Sequence, residues 1–412
     1  MNLQRQGRHH VNGWAFGLAL GIALLLAIAS TLSPVETDVA LYWSTAHRVF
    51  DQGVDPYLLQ PDDKLLFVYP PSALFLLYPL SKLDLAQSAG LIFSVNLLLS
   101  AALMALIVND LSRDDPSGRL IWWGPLYFAA FGGNYLNLVF CQLNLIALLF
   151  IWLYWRQVRA SRPTGMSGAV LVLGSLAKPH YGLLAFGAAP KPGLRIILGA
   201  SIAGAALFLA SLLLLPGGLW SSWIEHVLSE TSYTALPGGR SSIAAPWNRS
   251  VPGLIARLFV PNKFSAPLVD SPATAEYLST AVILTLLVVS AWALYRSMRR
   301  MDRGPRDRDL ELSVLSLLAF LASPASWTHH LVMLLPAALV MLRDVVLDPA
   351  EPPSRRLAVG LTLALVAVTF EDLIPREIRT SSLALMSLMT VAILGLWALT
   401  VARLLRRSAA AS

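Results

Sequence analysis

Two carboxylates, Glu36 and Asp38, come just after an apolar run that ends near Leu32, in the stretch STLSPVETDVALYW. A carboxylate at such a boundary can cap local backbone or sit among lipid headgroups. It can also act as a general base that takes the proton of an attacking hydroxyl. The residues after Asp38 bear on the choice: DVALYW runs through AHRVFDQGVDPYLL to FVYPPSALFLLYPL, where Tyr69 precedes a Pro-Pro pair. The turn residues of DQGVDPY and the aromatics around the prolines predict a loop folded back onto the membrane surface, able to hold a sugar against a carboxylate.

Three further stretches carry groups suited to an anion. In SLAKPHYG, Lys178 and His180 interrupt an apolar region around a proline that breaks the helix. The lysine either snorkels to the headgroups or binds a phosphate at depth, because ionisable groups inside a membrane are costly. APWNRSVPGLIARLF supplies Trp247, Asn248, Arg249, Ser250 and Arg257. Arg249 suits bidentate phosphate binding, while Trp247 suits either a sugar face or the membrane interface. SPASWTHH ends in His329 and His330, whose side chains diverge by about 100° on a helix, a poor arrangement for sharing a metal ion. One of the pair can instead donate to an anionic leaving group. Gln142 and Asn144, in FCQLNLIALL, either glue helices together through hydrogen bonds or line a polar cavity.

These groups need elements to position them. Of the 412 residues, 56% are hydrophobic and only 13% charged, too little charged surface for a soluble chain of this length. The composition predicts an all-α polytopic membrane protein forming a single domain over residues 1–412. Apolar runs lie at 12–33, 86–108, 120–136, 139–155, 167–177, 179–189, 194–215, 274–295, 310–323, 328–342, 357–371 and 382–402. They predict about twelve transmembrane or partly inserted helices. The first is read as a retained helix, since it is long and lacks a small-x-small cleavage site. Several fall short of a full span, notably the pairs flanking Lys178-Pro179 and SPASWTHH.

The formal charge of +7 reflects topology rather than nucleic-acid binding, because the arginines cluster in short stretches between apolar runs. With both termini cytoplasmic, about two thirds of the 31 lysines and arginines fall inside. Asp38, Lys178 and His329 then share the outer face. Two outer loops stand out: residues 34–85, with the candidate base, and 216–273, rich in Pro, Gly, Ser and Trp and long enough to cover a site. The single cysteine, Cys141, excludes an internal disulfide and a thiolate metal cluster.

Taken in order, TDVALYWSTAHRVFDQGVDPY, FVYPPSALFLLYPL, QLNLIALL, AKPHYG, NRSVPGLIAR and SPASWTHH resemble family 87 of the glycosyltransferases, polyprenyl-phosphate-mannose-dependent enzymes of the GT-C superfamily. The resemblance covers most of the chain. Cys141 stands where glycine is expected. The resemblance implies a GT-C fold and an inverting transfer from a polyprenyl-phosphate-linked sugar, mannose foremost, to a glycolipid or polysaccharide acceptor. It implies no metal and no cofactor, and the partners are membrane lipids and no nucleic acid. Asp38 matches the family's general base, with Glu36 as the fallback. Lys178, His180, Asn248, Arg249, His329, His330, Tyr69, Gln142 and Asn144 are expected around the donor and its phosphate. The expected location is the plasma membrane, with an extracytoplasmic active site. The competing readings are a secondary transporter or flippase of lipid-linked sugars, which would show related halves and a midplane site, and a non-catalytic scaffold.

Overall fold

A computed structural model describes residues 17–368, 378 and 382–409, apart from 19, 27, 30–31, 33–35, 61–64, 189–192 and 240. Among the described residues the chain is helical throughout, with no strand beyond an isolated bridge between Asn248 and Trp327. The described part of the expected first span is helical, and Gly17 and Gly21 bring it onto Ile121 and Pro125. The expected cytoplasmic N-terminus lies outside the described residues.

After that span the helices are, in chain order, α1 (Glu36–Phe50), α2 (Leu85–Ser112), α3 (Leu120–Ala130), α4 (Gly132–Val139), α5 (Asn144–Arg159), α6 (Gly165–Ser175) and α7 (Gly193–Leu214). The short α8 (Leu219–Trp223), α9 (Val251–Phe259), α10 (Pro272–Met298), α11 (Pro305–Ala322), α12 (Leu335–Met341), α13 (Pro353–Ala367) and α14 (Leu383–Ala409) complete the series. Tight 3₁₀ segments at Pro71–Leu76, Tyr78–Lys82, Pro179–Ala188 and Thr328–Leu334 link them. Among the described residues, five stretches are long and apolar enough to cross a membrane: α2, α7, α10, the continuous Thr328–Val346 and α14. The chain is an integral membrane protein.

Two expected spans are interrupted. The 120–136 run breaks at Phe131 between α3 and α4, where Gly133 approaches the Leu331 and Val332 backbone so closely that a Cβ would lie 2.6 Å from the Val332 nitrogen. The 139–155 run becomes helical only at Asn144, after a turn in which Cys141 adopts φ 49°. That left-handed conformation favours glycine, whose missing Cβ removes the steric penalty. Structure also appears in the outer-loop regions read as irregular. Residues 36–50 form α1 because Val39, Tyr42, Ala46 and Val49 recur on one buried face. The 216–273 stretch contains α8, a π-helical turn at Ile224–Leu228 and α9.

Polar groups segregate to the two ends of the bundle. At one end, the C-termini of α2, α5, α10 and α14 and the N-termini of α11 and α13 bring together Asp110, Arg156, Arg159, Arg303, Asp309, Glu311, Arg343, Asp344, Glu351 and Arg403. At the other end, α1, the α4–α5 turn, residues 247–250 and Thr328–Leu334 meet.

Helix α7 is the least enclosed of the spans; Leu194, Leu213 and Leu214 are largely exposed, as on a lipid-facing surface. Its seat is a backbone-close crossing with α6, where a Cβ on Gly199 would meet the Gly165 carbonyl oxygen at 1.9 Å. Small residues permit this approach, which packing in lipid depends on. Gly199→Val should therefore destabilise the solubilised protein by about 1–3 kcal/mol, read as a lower melting temperature. Gly204→Val, on the same helix in open space, should leave that temperature unchanged.

Candidate active site

The site begins with helix α1. Asp38 and Tyr42 lie one turn apart, so both side chains project over the same patch. The helix is held down by Trp43 Nε1, which donates to the Leu83 carbonyl at 2.9 Å. At its far end, Asp51 pairs with His47 and Lys82. Glu36 starts the helix, but its side chain lies outside the described residues.

Facing Asp38 and Tyr42 is the α4–α5 turn. Gln142 Nε2 donates to Asp38 Oδ2 at 2.7 Å, and the Tyr42 hydroxyl donates to Gln142 Oε1 at 3.0 Å. The Tyr42 oxygen lies 3.2 Å from the Tyr69 hydroxyl. Tyr69 is fixed in turn by Tyr57, whose hydroxyl donates to the Tyr69 carbonyl at 2.8 Å, and by edge contact with Phe67. Burial pushes the half-buried Asp38 carboxyl up to about 6, and the Gln142 hydrogen bond acts in the opposite direction. A carboxyl so placed is poised to accept a proton near neutral pH.

The turn that presents Gln142 is stapled from inside the bundle. The buried Asn96 amide donates to the carbonyls of Asn137 at 3.1 Å and Gln142 at 2.8 Å. The Asn137 amide donates to the His329 carbonyl at 2.6 Å, and Asn144 reaches the same carbonyl at 3.4 Å. The Asp38 side and the histidine side of the site are thus joined through one turn. Sequence reasoning missed Tyr42, Asn96 and Asn137. A signal existed: Asn96 and Ser100 are polar residues one helical turn apart in an apolar span, and Ser100 bonds Asn134 at 2.6 Å across the interface.

His329 and His330 form the edge of a second cluster. Their rings stand nearly perpendicular, with centroids 4.5 Å apart, and His329 also packs against Phe140 at a tilt of 58°. His330 Nδ1 accepts the Trp327 backbone N–H at 3.2 Å, which commits that nitrogen to the local turn. Lys178 sits close enough to act electrostatically on both rings, and His180 on His330. Lys178 is buried, and among the described residues no carboxylate pairs with it. A buried cation without a protein counter-ion is unfavourable by several kcal/mol unless a ligand supplies the anion.

Residues 247–250 sit against the start of the same 3₁₀ segment. Arg249 Nε donates to Thr328 Oγ1 at 3.1 Å and Nη1 to the Met386 carbonyl at 3.3 Å, so its guanidinium bridges Thr328 to the beginning of α14. The Asn248 amide has a structural assignment: its nitrogen donates to the Ile243 and Pro324 carbonyls, and its oxygen accepts from the Ser250 and Ser326 N–H groups. Arg257 braces the same loop through the Ala245 and Asn248 carbonyls. Trp247 is exposed and packs edge-on against Phe264.

The model of glycosyltransferase family 87 matches residues 67–324. That segment holds Tyr69, Gln142, Asn144, Lys178, His180, Asn248 and Arg249, while Asp38, His329 and His330 lie beyond its edges. A polyprenol-phosphate-mannose-dependent alpha-(1-2)-phosphatidylinositol mannoside mannosyltransferase of Mycobacterium tuberculosis is 26% identical over 351 residues, covering 79% of this chain and 74% of that protein. No solved structure matches.

Proposed function

We propose that this chain, which belongs to glycosyltransferase family 87, transfers a mannosyl residue from a polyprenyl-phosphate-linked donor to a glycolipid acceptor at the extracytoplasmic face of the plasma membrane. The mycobacterial relative supports the choice of mannose and of a lipid-linked donor. The observation that carries the reading is Lys178: a buried lysine without a carboxylate partner among the described residues, beside His180, His329 and His330 and linked through the Gln142–Asn144 turn to a half-buried carboxyl.

In this reading Asp38 removes the proton of the acceptor hydroxyl as its oxygen attacks the anomeric carbon. The bond from that carbon to the phosphate oxygen breaks, and the electron pair leaves with polyprenyl phosphate. The reaction is one displacement with inversion, and no acid is needed for a phosphate leaving group, unlike the alcohol expelled by glycosidases. Lys178 and an imidazole N–H of His329 meet the charge that develops on the phosphate, with His180 and Arg249 offering further N–H donors. The chain adopts a GT-C arrangement of about twelve inserted segments with both termini inside. The arginine-rich end of the bundle supports a cytoplasmic assignment there, opposite Asp38. Residues 34–85 and 216–273 then form the outer walls of the site.

Membranes containing the protein, supplied with radiolabelled polyprenyl-phosphate-mannose, should label the glycolipid fraction. The label should persist in EDTA and be absent when a nucleotide-linked mannose is the sole donor and polyprenyl-phosphate-mannose synthesis is blocked. Labelling from the nucleotide donor under that block would refute the lipid-linked assignment.

A further inference from the structure

We propose that Gln142 is a positioning residue for Asp38, and that Tyr42 and Tyr69 hold its amide in the one orientation that donates to the carboxylate. This inference rests on the reading of Asp38 as the base. Its ground is the direction of the hydrogen bonds. A primary amide has a donor end and an acceptor end, and the carboxylate of Asp38 demands the donor end, which turns the acceptor end to the Tyr42 hydroxyl. The carboxylate oxygen of Asp38 can only accept, so it takes Nε2 at 2.7 Å. The Tyr42 hydroxyl then donates to Oε1 at 3.0 Å, which leaves the Tyr42 oxygen to accept from Tyr69 at 3.2 Å. Reversing the amide would oppose its carbonyl to the carboxylate, two acceptors with no proton between them. The chain from Tyr69 through Tyr42 and Gln142 thus runs in a single sense and ends on the base.

The arrangement also divides the two oxygens of Asp38. Oδ2 is tied to Gln142, whereas Oδ1 makes no hydrogen bond among the described residues. The proton of the acceptor hydroxyl therefore goes to Oδ1, and Gln142 sets where that oxygen points. Gln142 is itself buried, and its turn is clamped by Asn96, so the amide cannot follow a wandering carboxylate.

A positioning amide bonded to the ionised base should show in a pH profile. Among the described residues, the titratable groups that face Asp38 are Tyr42 on its own helix, Tyr69 from the segment before the Pro-Pro pair and Cys141 from the turn. All three are neutral in the acid range where the carboxyl titrates. His47 and Lys82 both pair with Asp51 at the far end of α1. Burial raises Asp38, and the hydrogen bond from Gln142 favours the charged form and lowers it. Removing that bond raises the folded value, so the carboxylate is lost at a higher pH and activity falls earlier on acidification.

The test is the pH dependence of kcat/KM for mannosyl transfer in proteoliposomes, comparing the wild type with Gln142→Leu and Tyr42→Phe. Each variant should move the acid limb upward, by about one pH unit for Gln142→Leu and less for Tyr42→Phe, with partial recovery of activity at alkaline pH. Tyr42→Phe keeps the ring that packs against the core and removes only the hydroxyl, so it carries the test alone if Gln142→Leu fails to reach the membrane. A uniform loss at every pH with the acid limb unmoved would overturn the proposal and leave Gln142 as packing. Asp38→Asn is run in parallel. If it retains transfer, the base assignment fails and takes the positioning role with it. If it is inactive and the limbs of the other variants do not move, the positioning role alone fails.

Discussion

Asp38→Asn should reduce mannosyl transfer by on the order of 10²–10⁴-fold while leaving the protein as abundant in membranes as the wild type. The substitution is nearly isosteric, and the amide oxygen of asparagine can still accept from Gln142 Nε2, so the contact at 2.7 Å survives. What disappears is the ability to take a proton. The wild-type profile should carry the same signature. Burial lifts the Asp38 carboxyl to about 6 while Gln142 opposes the lift, so the group is charged above that value and protonated below it. Transfer is therefore expected to hold at pH 7 and fall as the pH drops through about 6. Quantifying labelled glycolipid per unit of immunodetected protein separates this loss from a folding defect. An Asp38→Asn variant with undiminished transfer would remove Asp38 from the chemistry and turn attention to Glu36, two residues earlier on the same helix.

The long spans were legible because lipid imposes a length. Runs near 86–108, 194–215, 274–295 and 382–402 meet the ~20 residues that crossing needs, and each is a long helix. Breaks inside apolar sequence were harder to read. Nothing in the hydropathy of residues 120–136 marks Phe131 as a helix end; the close approach of Gly133 to the Leu331 and Val332 backbone, some two hundred residues away in sequence, marks it. At the site, the chemistry of Asp38 and Lys178 could be read from their types, since a charge beside or within an apolar region needs a reason. The part of Gln142 could not be read in the same way. An amide in an apolar run is compatible with gluing helices or contacting substrate, and the choice depends on a hydroxyl and a carboxylate from α1. Asn248 shows the same limit, because two of its four bonds to backbone go to Pro324 and Ser326, far away in sequence. The arginines were legible only as a topological bias. Their carboxylate partners lie on helices that are adjacent in space and far apart in sequence.

That paired network carries the second large effect, on stability. Asp309 is fully buried and accepts from Arg343 Nη1 at 2.8 Å, from Arg159 Nε at 3.1 Å and from Trp155 Nε1 at 3.0 Å. Replacing it with leucine leaves Arg159 with Asp114, but it strips Arg343 of one of two counter-ions, the other being Asp344 at 2.6 Å. Two guanidiniums then face each other across an apolar gap, and removing one member of such a buried set costs about 3–5 kcal/mol. Asp309→Leu should accordingly lower the melting temperature of the solubilised protein and its abundance in membranes. Adding Arg343→Met should restore much of the loss, because Asp344 retains Arg306 at 3.2 Å and the excess buried charge is gone. Recovery in the double variant distinguishes an electrostatic defect from a simple packing defect, which a second large-to-apolar change would deepen. Helix α5 joins this network to the chemistry, since Asn144 begins it beside His329 and Arg159 ends it beside Asp309. With the fold intact, the network does not touch the reacting groups. Transfer per folded molecule should therefore be unchanged in Asp309→Leu, with the loss confined to the amount of folded protein; a fall in activity per folded molecule would show instead that the ionic end sets the geometry around Gln142 and Asp38.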